Sequence, residues 1–427
     1  MPRLSPLPPF APPLDDTATF PASPQRSPPP RLGKHEVIFL GTGCSSATPH
    51  LHCLIGTRSR GESGWPGPCA VCSMALEGDP RRNRNYRGNP SLLLRVRADD
   101  LADDGATRHV LIDCGKTFRE AAQRWLPEYV AGHGGLDAVV ITHEHADAVL
   151  GIDDLRSVQK IYSDRGDGRR GGGKEQEQEK KTTTALERVS MPIFLSSQCY
   201  KHVQGVFPYL MPRGGPSNKR MFVASLDWRV LDERLGLQGL GLEEEEEEEE
   251  KEEEEDDESA PPVVAFPFWP VKGFRIDAFA VEHGPGFMSL GFAFGPDERR
   301  TVYISDISRC PPATLRALRP PPALTYSTDD SVDHGAAING SLGWTIDTLI
   351  VDCLDPGPDM YPSHFSLPQT LELVRELRPK RTLLVGMSHR FEHYAANEEL
   401  SLLKAESHGQ LDVQLAFDGQ RIEVAAA

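Results

Sequence analysis

The chain lacks any apolar run approaching the roughly 20 residues that cross a bilayer, which excludes a helical membrane span. Cysteine is sparse, with eight in 427 residues, too few for a disulfide framework. Buried or metal-bound thiols in a reducing compartment are expected instead, with the cytosol as the default location. Basic residues number 46 against 63 acidic ones, so no electrostatic footprint for nucleic acid is present. The formal charge of −17 is mostly local. Fifteen acidic residues and one lysine between Glu243 and Glu258 contribute −14, leaving about −3 for everything else.

What is abundant is proline at the start. Eleven of the first thirty residues are proline, alongside Asp15 and Asp16. An apolar h-region and an Arg/Ser-rich amphipathic pattern are both missing, so residues 1–33 read as a disordered leader rather than a signal or transit peptide. Two further stretches read as solvated inserts, at about 163–190 and about 236–262. The Glu tract in the second reads as a self-repelling loop, with a basic protein partner as the alternative. Residues 34–427 otherwise form one domain by this reading.

That domain alternates short apolar runs with turns. Strands are expected at His35–Leu40, Ser91–Val96, His109–Ile112, Asp137–Ile141, Pro192–Leu195, Phe274–Val281, Leu290–Phe294, Thr301–Ile304, Thr348–Val351 and Thr382–Val385. Helices are expected after Thr117, Ala148, Ser197, Pro311, Ser366 and Asn397. Many strands with interspersed helices imply a layered α/β domain, two sheets with helices outside.

The strongest chemical signal is Asp137-Ala-Val-Val-Ile-Thr-His143-Glu-His145-Ala-Asp147. An apolar run ends in three potential ligands at every second position. In extended backbone alternate side chains share a face, so His143, His145 and Asp147 are expected to converge on one ion. Imidazole suits several divalent metals, and zinc or manganese is expected here. His283 and Asp306 each end a further apolar strand, where loop residues commonly do chemistry. Asp113 in Asp113-Cys114-Gly115 is the same kind of residue and reads as orienting the site. Cys69-Ala-Val-Cys72 is a knuckle that places two thiolates on one ion, and tetrahedral structural zinc needs two more ligands. Cys44, Cys114, Cys199, Cys310 and Cys353 read as small core residues. Arg84-Asn85-Tyr86-Arg87 reads as a solvated turn in preference to a phosphate contact.

The order Gly41-Thr-Gly43, Asp113-Cys-Gly115, His-x-His-x-Asp, His283-Gly, Ser305-Asp306 and Ser388-His389 resembles the metallo-β-lactamase superfamily. Within it, the similarity is to the cysteine-containing phosphoribosyl cyclic phosphodiesterases of the PhnP type, over about residues 35–424 without the inserts. The resemblance implies an αββα sandwich, with His143, His145, His283 and Asp306 around a first ion and Asp306 bridging to a second. It implies His389 as a ligand of the structural zinc, with Cys53 standing in for a loop cysteine that has shifted from position 67. It also implies a catalytic role for His364, just before the helix at Ser366.

Two departures stand out. The second-ion histidines of the family fall at Ala148 and Gly386, leaving Asp147 and Asp306, with Asp154 or His393 as candidate substitutes. The expected chemistry is hydrolysis of a phosphodiester or small cyclic phosphate by metal-bound hydroxide. Asp147 would orient the water, and His364 would protonate the leaving oxygen. A thioester or lactone hydrolase of the same fold, or a metal-stabilised scaffold without catalysis, are the alternatives.

Overall fold

Strand β1 (His35–Gly41) shows why this chain forms a layered sandwich. All seven of its residues are buried, with Val37 and Phe39 on one face and Ile38 and Leu40 on the other. A strand covered on both faces reads as a continuous apolar run, and its period of two splits the run between two cores.

A computed structural model describes residues 35–56, 68–97, 107–163, 186–212, 223–231, 264–320 and 341–425. These lie in one unit, Gly33–Ala427. The proposed leader and the Glu tract lie outside the described residues, as does most of the first insert. The ends of that insert are described, however. Ile161–Ser163 (β5) and Leu186–Arg188 (β6) pair antiparallel, so the segment expected to be loop from 163 to 190 includes a short hairpin base.

The first seven-stranded sheet contains β1, β2 (Ser91–Val96), β3 (Arg108–Ile112), β4 (Ala138–Val140), β7 (Met191–Leu195), β8 (Leu226–Val230) and β16 (Arg421–Val424), in the order β16-β1-β2-β3-β4-β7-β8. The second contains β9 (Phe266–Val271), β10 (Phe274–Glu282), β11 (Met288–Phe294), β12 (Arg300–Ile304), β13 (Ile346–Asp352), β14 (Arg381–Val385) and β15 (Val413–Leu415), in reverse chain order. Between the sheets, Phe39, Leu92, Ile112 and Val140 meet Ile276, Phe292, Tyr303 and Ile350. Outside the first sheet, Leu93, Leu111 and Val139 pack with Phe118 and Trp125 of α3 (Phe118–Tyr129) and Val203 of α5 (Ser197–Val206). Outside the second, Val302, Leu349 and Leu384 pack with Leu318 of α6 (Pro312–Leu318), Leu373 and Leu377 of α7 (Leu367–Leu377), and Leu400 of α8 (His393–Glu406). The result is the expected four-layered αββα sandwich. Among the described residues no helix is long and apolar enough to cross a membrane.

Two helix starts differ from expectation. A short helix α4 spans Ala146–Val149, beginning before Ala148, because Ala148, Val149 and Leu150 donate back to His145 and Ala146. Helix α8 starts at His393 because the Glu392 carboxylate caps the Ala395 amide. Two helices were not anticipated, α1 (Leu51–Ile55) and α2 (Ala70–Ala75), both in the cysteine loop. The Arg84–Arg87 segment is a solvated turn only at Arg84. Arg87 is fully buried and donates to the carbonyls of Ser388 and Phe391, while Asn85 bonds Glu392 and the His393 amide. Of the five cysteines assigned to the core, four are buried and Cys310 is partly exposed.

β3 to β4, β4 to β7, and β12 through β15 pair in parallel, so their carboxyl ends share an edge in each sheet. In open α/β sheets that edge is where sites form.

The buried His109, under Tyr129 in the first sheet, gives a test of this packing. Burial, reinforced by the nearby His133, holds its imidazole down at about 3, against about 6.5 when unfolded. The unfolded chain therefore takes up the extra proton, and this contribution to stability is present above about pH 6.5 and lost as pH falls. Between about pH 7 and about pH 5, the urea midpoint of wild type should fall more steeply than that of His109→Gln. Parallel slopes would show that His109 accepts a proton within the fold.

Candidate active site

The turn after β4 is set by the buried Asp113 carboxylate, at the end of β3. It accepts from the Thr142 amide at 2.8 Å and from the Thr142 hydroxyl at 2.9 and 3.0 Å. Thr142 Oγ1 in turn lies 2.9 Å from His143 Nδ1. With the hydroxyl proton directed to Asp113, His143 Nδ1–H donates to Thr142 Oγ1, and the Nε2 lone pair faces inward. His143 Nε2 is buried with no hydrogen-bond partner among the described residues. A buried, unpartnered imidazole nitrogen is costly unless something electrophilic meets it. Burial, the dominant effect, lowers the His143 imidazole to about 3 and keeps it neutral.

His283 is oriented the same way. It follows β10, and its Nδ1 lies 2.6 Å from the Ser363 carbonyl, which accepts that proton and turns Nε2 inward. His283 Nε2 and His145 Nδ1 are 3.1 Å apart. Two imidazole nitrogens on a tetrahedral ion with bonds of about 2.0–2.1 Å would be about 3.3 Å apart, so the spacing fits a shared cation. His143, His145 and His283 form one group of converging ligand atoms, and His283, Asp306 and His364 form another. Asp306 Oδ1 lies 3.9 Å from both His283 Nε2 and His364 Nδ1. Phe287 walls the site, its ring stacked on His145 at 4.5 Å.

Asp147 takes a different place from the one its spacing suggests. Helix α4 begins at Ala146, so the extended alternation ends after His145, and Asp147 is absent from the histidine group. Its carboxyl is buried on the Asp306 side. Burial first, and then the Asp306 charge, push it up to about 6. Gly115 permits this placement, because a Cβ there would lie 1.7 Å from the Asp147 carbonyl oxygen.

His364 Nδ1 lies 2.8 Å from Oδ2 of Asp352, a fully buried residue at the end of β13. Burial opposes charge on His364, but the Asp352 carboxylate outweighs it and raises the imidazole to about 9. Asp352 and Phe287 were missed in the sequence. Asp352 carried a usable signal, since it ends an apolar strand as Asp113 and Asp306 do. Asp154 and His393 lie elsewhere. Asp154 is paired with Arg119 at 2.5 Å, and His393 packs against Phe417 with Asn397 on its Nε2.

The second cluster joins the two ends of the chain. The sulfurs of Cys53, Cys69 and Cys72 lie 3.3, 3.3 and 3.5 Å from His389 Nδ1. One nitrogen cannot satisfy three thiols by hydrogen bonding, whereas zinc with S and N bonds of about 2.3 and 2.0–2.1 Å would space them at about 3.5 Å. Burial, together with the neighbouring thiols of Cys69 and Cys53, pushes the Cys72 thiol up to about 12, so a cation is needed to ionise the group.

Residues 108–204 match the model of a β-lactamase superfamily domain. Among solved structures, the chain is similar to a new diphosphatase from the PhnP family. The TM-score is 0.52 and the identity 22%, over 91% of this chain and 97% of that one. It is also similar to Zn2+-bound PqqB from Methylobacterium extorquens, with a TM-score of 0.48 and 15% identity over 91% and 100%. A stretch of 121 residues is 34% identical to part of an octanoyltransferase of Porphyromonas gingivalis, covering 28% of this chain. The chain spans 18% of that relative's length. The chain thus carries a segment that matches a β-lactamase superfamily domain, set in a fold similar to that of the PhnP-family diphosphatase.

The two clusters should respond differently to substitution. Cys69→Ser is expected to lose about one zinc per chain and to melt roughly 5 °C or more lower, because structural ligation is folding free energy. His143→Ala should shift melting by less than about 2 °C while lowering any hydrolytic activity at least about 100-fold. Unchanged metal content and melting in Cys69→Ser would rule out the thiol site.

Proposed function

We propose that this protein is a metal-dependent phosphodiesterase acting on a small or cyclic phosphodiester. The observation that carries this reading is the convergence of three imidazoles and Asp306 beside a further histidine, His364, whose Nδ1 is held by Asp352 on the same rim. The solved diphosphatase of the PhnP family supports it as a protein of like fold.

His143 Nε2, His145 Nδ1, His283 Nε2 and Asp306 are the residues that would hold the active-site ion, and zinc or manganese suits this donor set. When bound, such an ion supplies Lewis-acid charge stabilisation and activates water at neutral pH. Asp147 borders the Asp306 side, where its carboxylate can accept a proton from the attacking water and fix its direction. His364 keeps Nδ1 on Asp352, which leaves Nε2 as the end that hands a proton to the leaving oxygen. Phe287 stacks on the exposed His145 imidazole and fixes its orientation. Cys53, Cys69, Cys72 and His389 would hold a structural zinc that has no part in the reaction. The expected partner is a small-molecule substrate. A basic partner for the Glu tract is a separate proposal, on a segment outside the described residues.

The roles of Asp147 and His364 separate by leaving group. p-Nitrophenolate needs little protonation, so His364→Ala should slow its release far less than that of an alkyl or sugar alkoxide, by a margin of about 10²–10⁴-fold. Asp147→Asn should slow both substrates equally, since attack is common to them. Equal losses for His364→Ala on the two would remove it as the acid. Turnover of thioesters in preference to every phosphodiester would replace the substrate class.

A further inference from the structure

The family pattern implies a second ion beside the first, and the residues here do not fit one. A side chain at position 386 is where the pattern places one of its imidazoles. Gly386 follows β14 directly with φ +71, and a Cβ there would lie 2.1 Å from Asp352 Oδ1 and 3.2 Å from its Cγ. The space is therefore already filled by a carboxylate. Asp352 cannot readily swing out of it. The residue is fully buried, and its Oδ2 accepts from His364 Nδ1 at 2.8 Å and from the Ile307 amide at 3.3 Å.

The other implied imidazole falls at Ala148, which offers no donor and packs in the outer core with Cys114, Phe118 and Ile152. Asp147 and Asp352 do not substitute for it. Among the described residues, the converging ligand groups at this rim are His143–His145–His283 and His283–Asp306–His364, and neither contains Asp147 or Asp352. His364 cannot serve through Nδ1, the atom nearest Asp306, because that atom is engaged by Asp352. Asp154 and His393 are committed elsewhere, as described above.

We infer that the Asp352–His364 pair occupies the place of the second cation, so that the active centre is built for a single ion. In this arrangement an N–H donor stands where a dinuclear centre has metal charge, and Gly386 is required by the Asp352 carboxylate. The inference rests on the metal-binding part of the proposed function, and the test separates the two.

The test uses the full chain loaded with excess manganese, desalted, and measured by elemental analysis and electron paramagnetic resonance. Manganese prefers oxygen and imidazole donors to thiolates, so the cysteine cluster does not enter the count. The expected result is about one manganese per chain with an uncoupled six-line signal. The variant Ala148→His/Gly386→His should still hold one ion, because Asp352 blocks the new imidazole. Adding Asp352→Ala to that pair should bring the count to about two, with an exchange-coupled signal. Two coupled ions in wild type would overturn the inference and leave the hydrolase reading standing. No bound manganese or zinc outside the cysteine cluster would overturn both. Because wild type alone decides between one ion and two, misfolding of the triple variant does not rescue the idea.

Discussion

The grip of Asp113 on Thr142 is the contact on which the site depends. Burial pushes the Asp113 carboxyl upward, towards its neutral form, while the amide and hydroxyl of Thr142 oppose that shift. The backbone there has φ +61, a conformation that aspartate tolerates better than most residues, and Ser91 Oγ holds the Asp113 carbonyl at 2.9 Å. From this one carboxylate a chain of bonds runs through the Thr142 hydroxyl to His143 Nδ1 and decides which nitrogen faces the site. The Thr142 carbonyl also accepts from the Leu290 amide of β11 at 2.9 Å, so the same residue fixes the histidine turn against the second sheet.

The two sheets contribute unequal parts to the candidate site. The first supplies His143, His145 and Asp147 from the turn after β4. The second supplies His283, Asp306, Asp352 and, through the loop before α7, His364. Holding such groups in register requires the sheets not to slide. The central apolar layer resists that, and so do bonds crossing from one end of the chain to the other. Thr42 Oγ1 donates to Asp418 at 2.8 Å, and Arg87 holds the carbonyls around His389. The cysteine cluster acts in the same direction, since Cys53, Cys69 and Cys72 come from the N-terminal loop and His389 from the strand ends of the second sheet. Only Met387 and Ser388 separate Gly386 from His389, so the cysteine cluster and the candidate active-site rim are joined by a short stretch of backbone.

How much of this was legible depended on burial. Strands covered on both faces, such as β1 and β13, announce themselves as unbroken apolar runs, and all ten expected strands formed. The missed ones are edge or near-edge strands. β16 (Arg-Ile-Glu-Val) and β15 (Val-Gln-Leu) are short and half exposed, and β9 carries Pro267 and Pro270, which an edge position tolerates. The convergence of His143 and His145 was legible because an extended turn preserves alternation, and the alternation stops short of Asp147 because a helix begins one residue earlier. Asp352 ends an apolar strand, which marks it as a candidate, but its partnership with position 386 could not be read. Its importance comes from a glycine 34 positions later that leaves room for it, and no local pattern encodes that pairing.

The central claim is that hydrolysis occurs at His143, His145, His283 and Asp306 with the help of a metal ion. The most direct measurement is cleavage of bis-p-nitrophenyl phosphate by the full chain, stripped of exchangeable metal and then resupplied with manganese or zinc. Activity should disappear on stripping and return on resupply in wild type, and resupply should restore nothing in His283→Ala. Equal activity in that variant, or no phosphodiester turnover by the metal-loaded wild type, would contradict it.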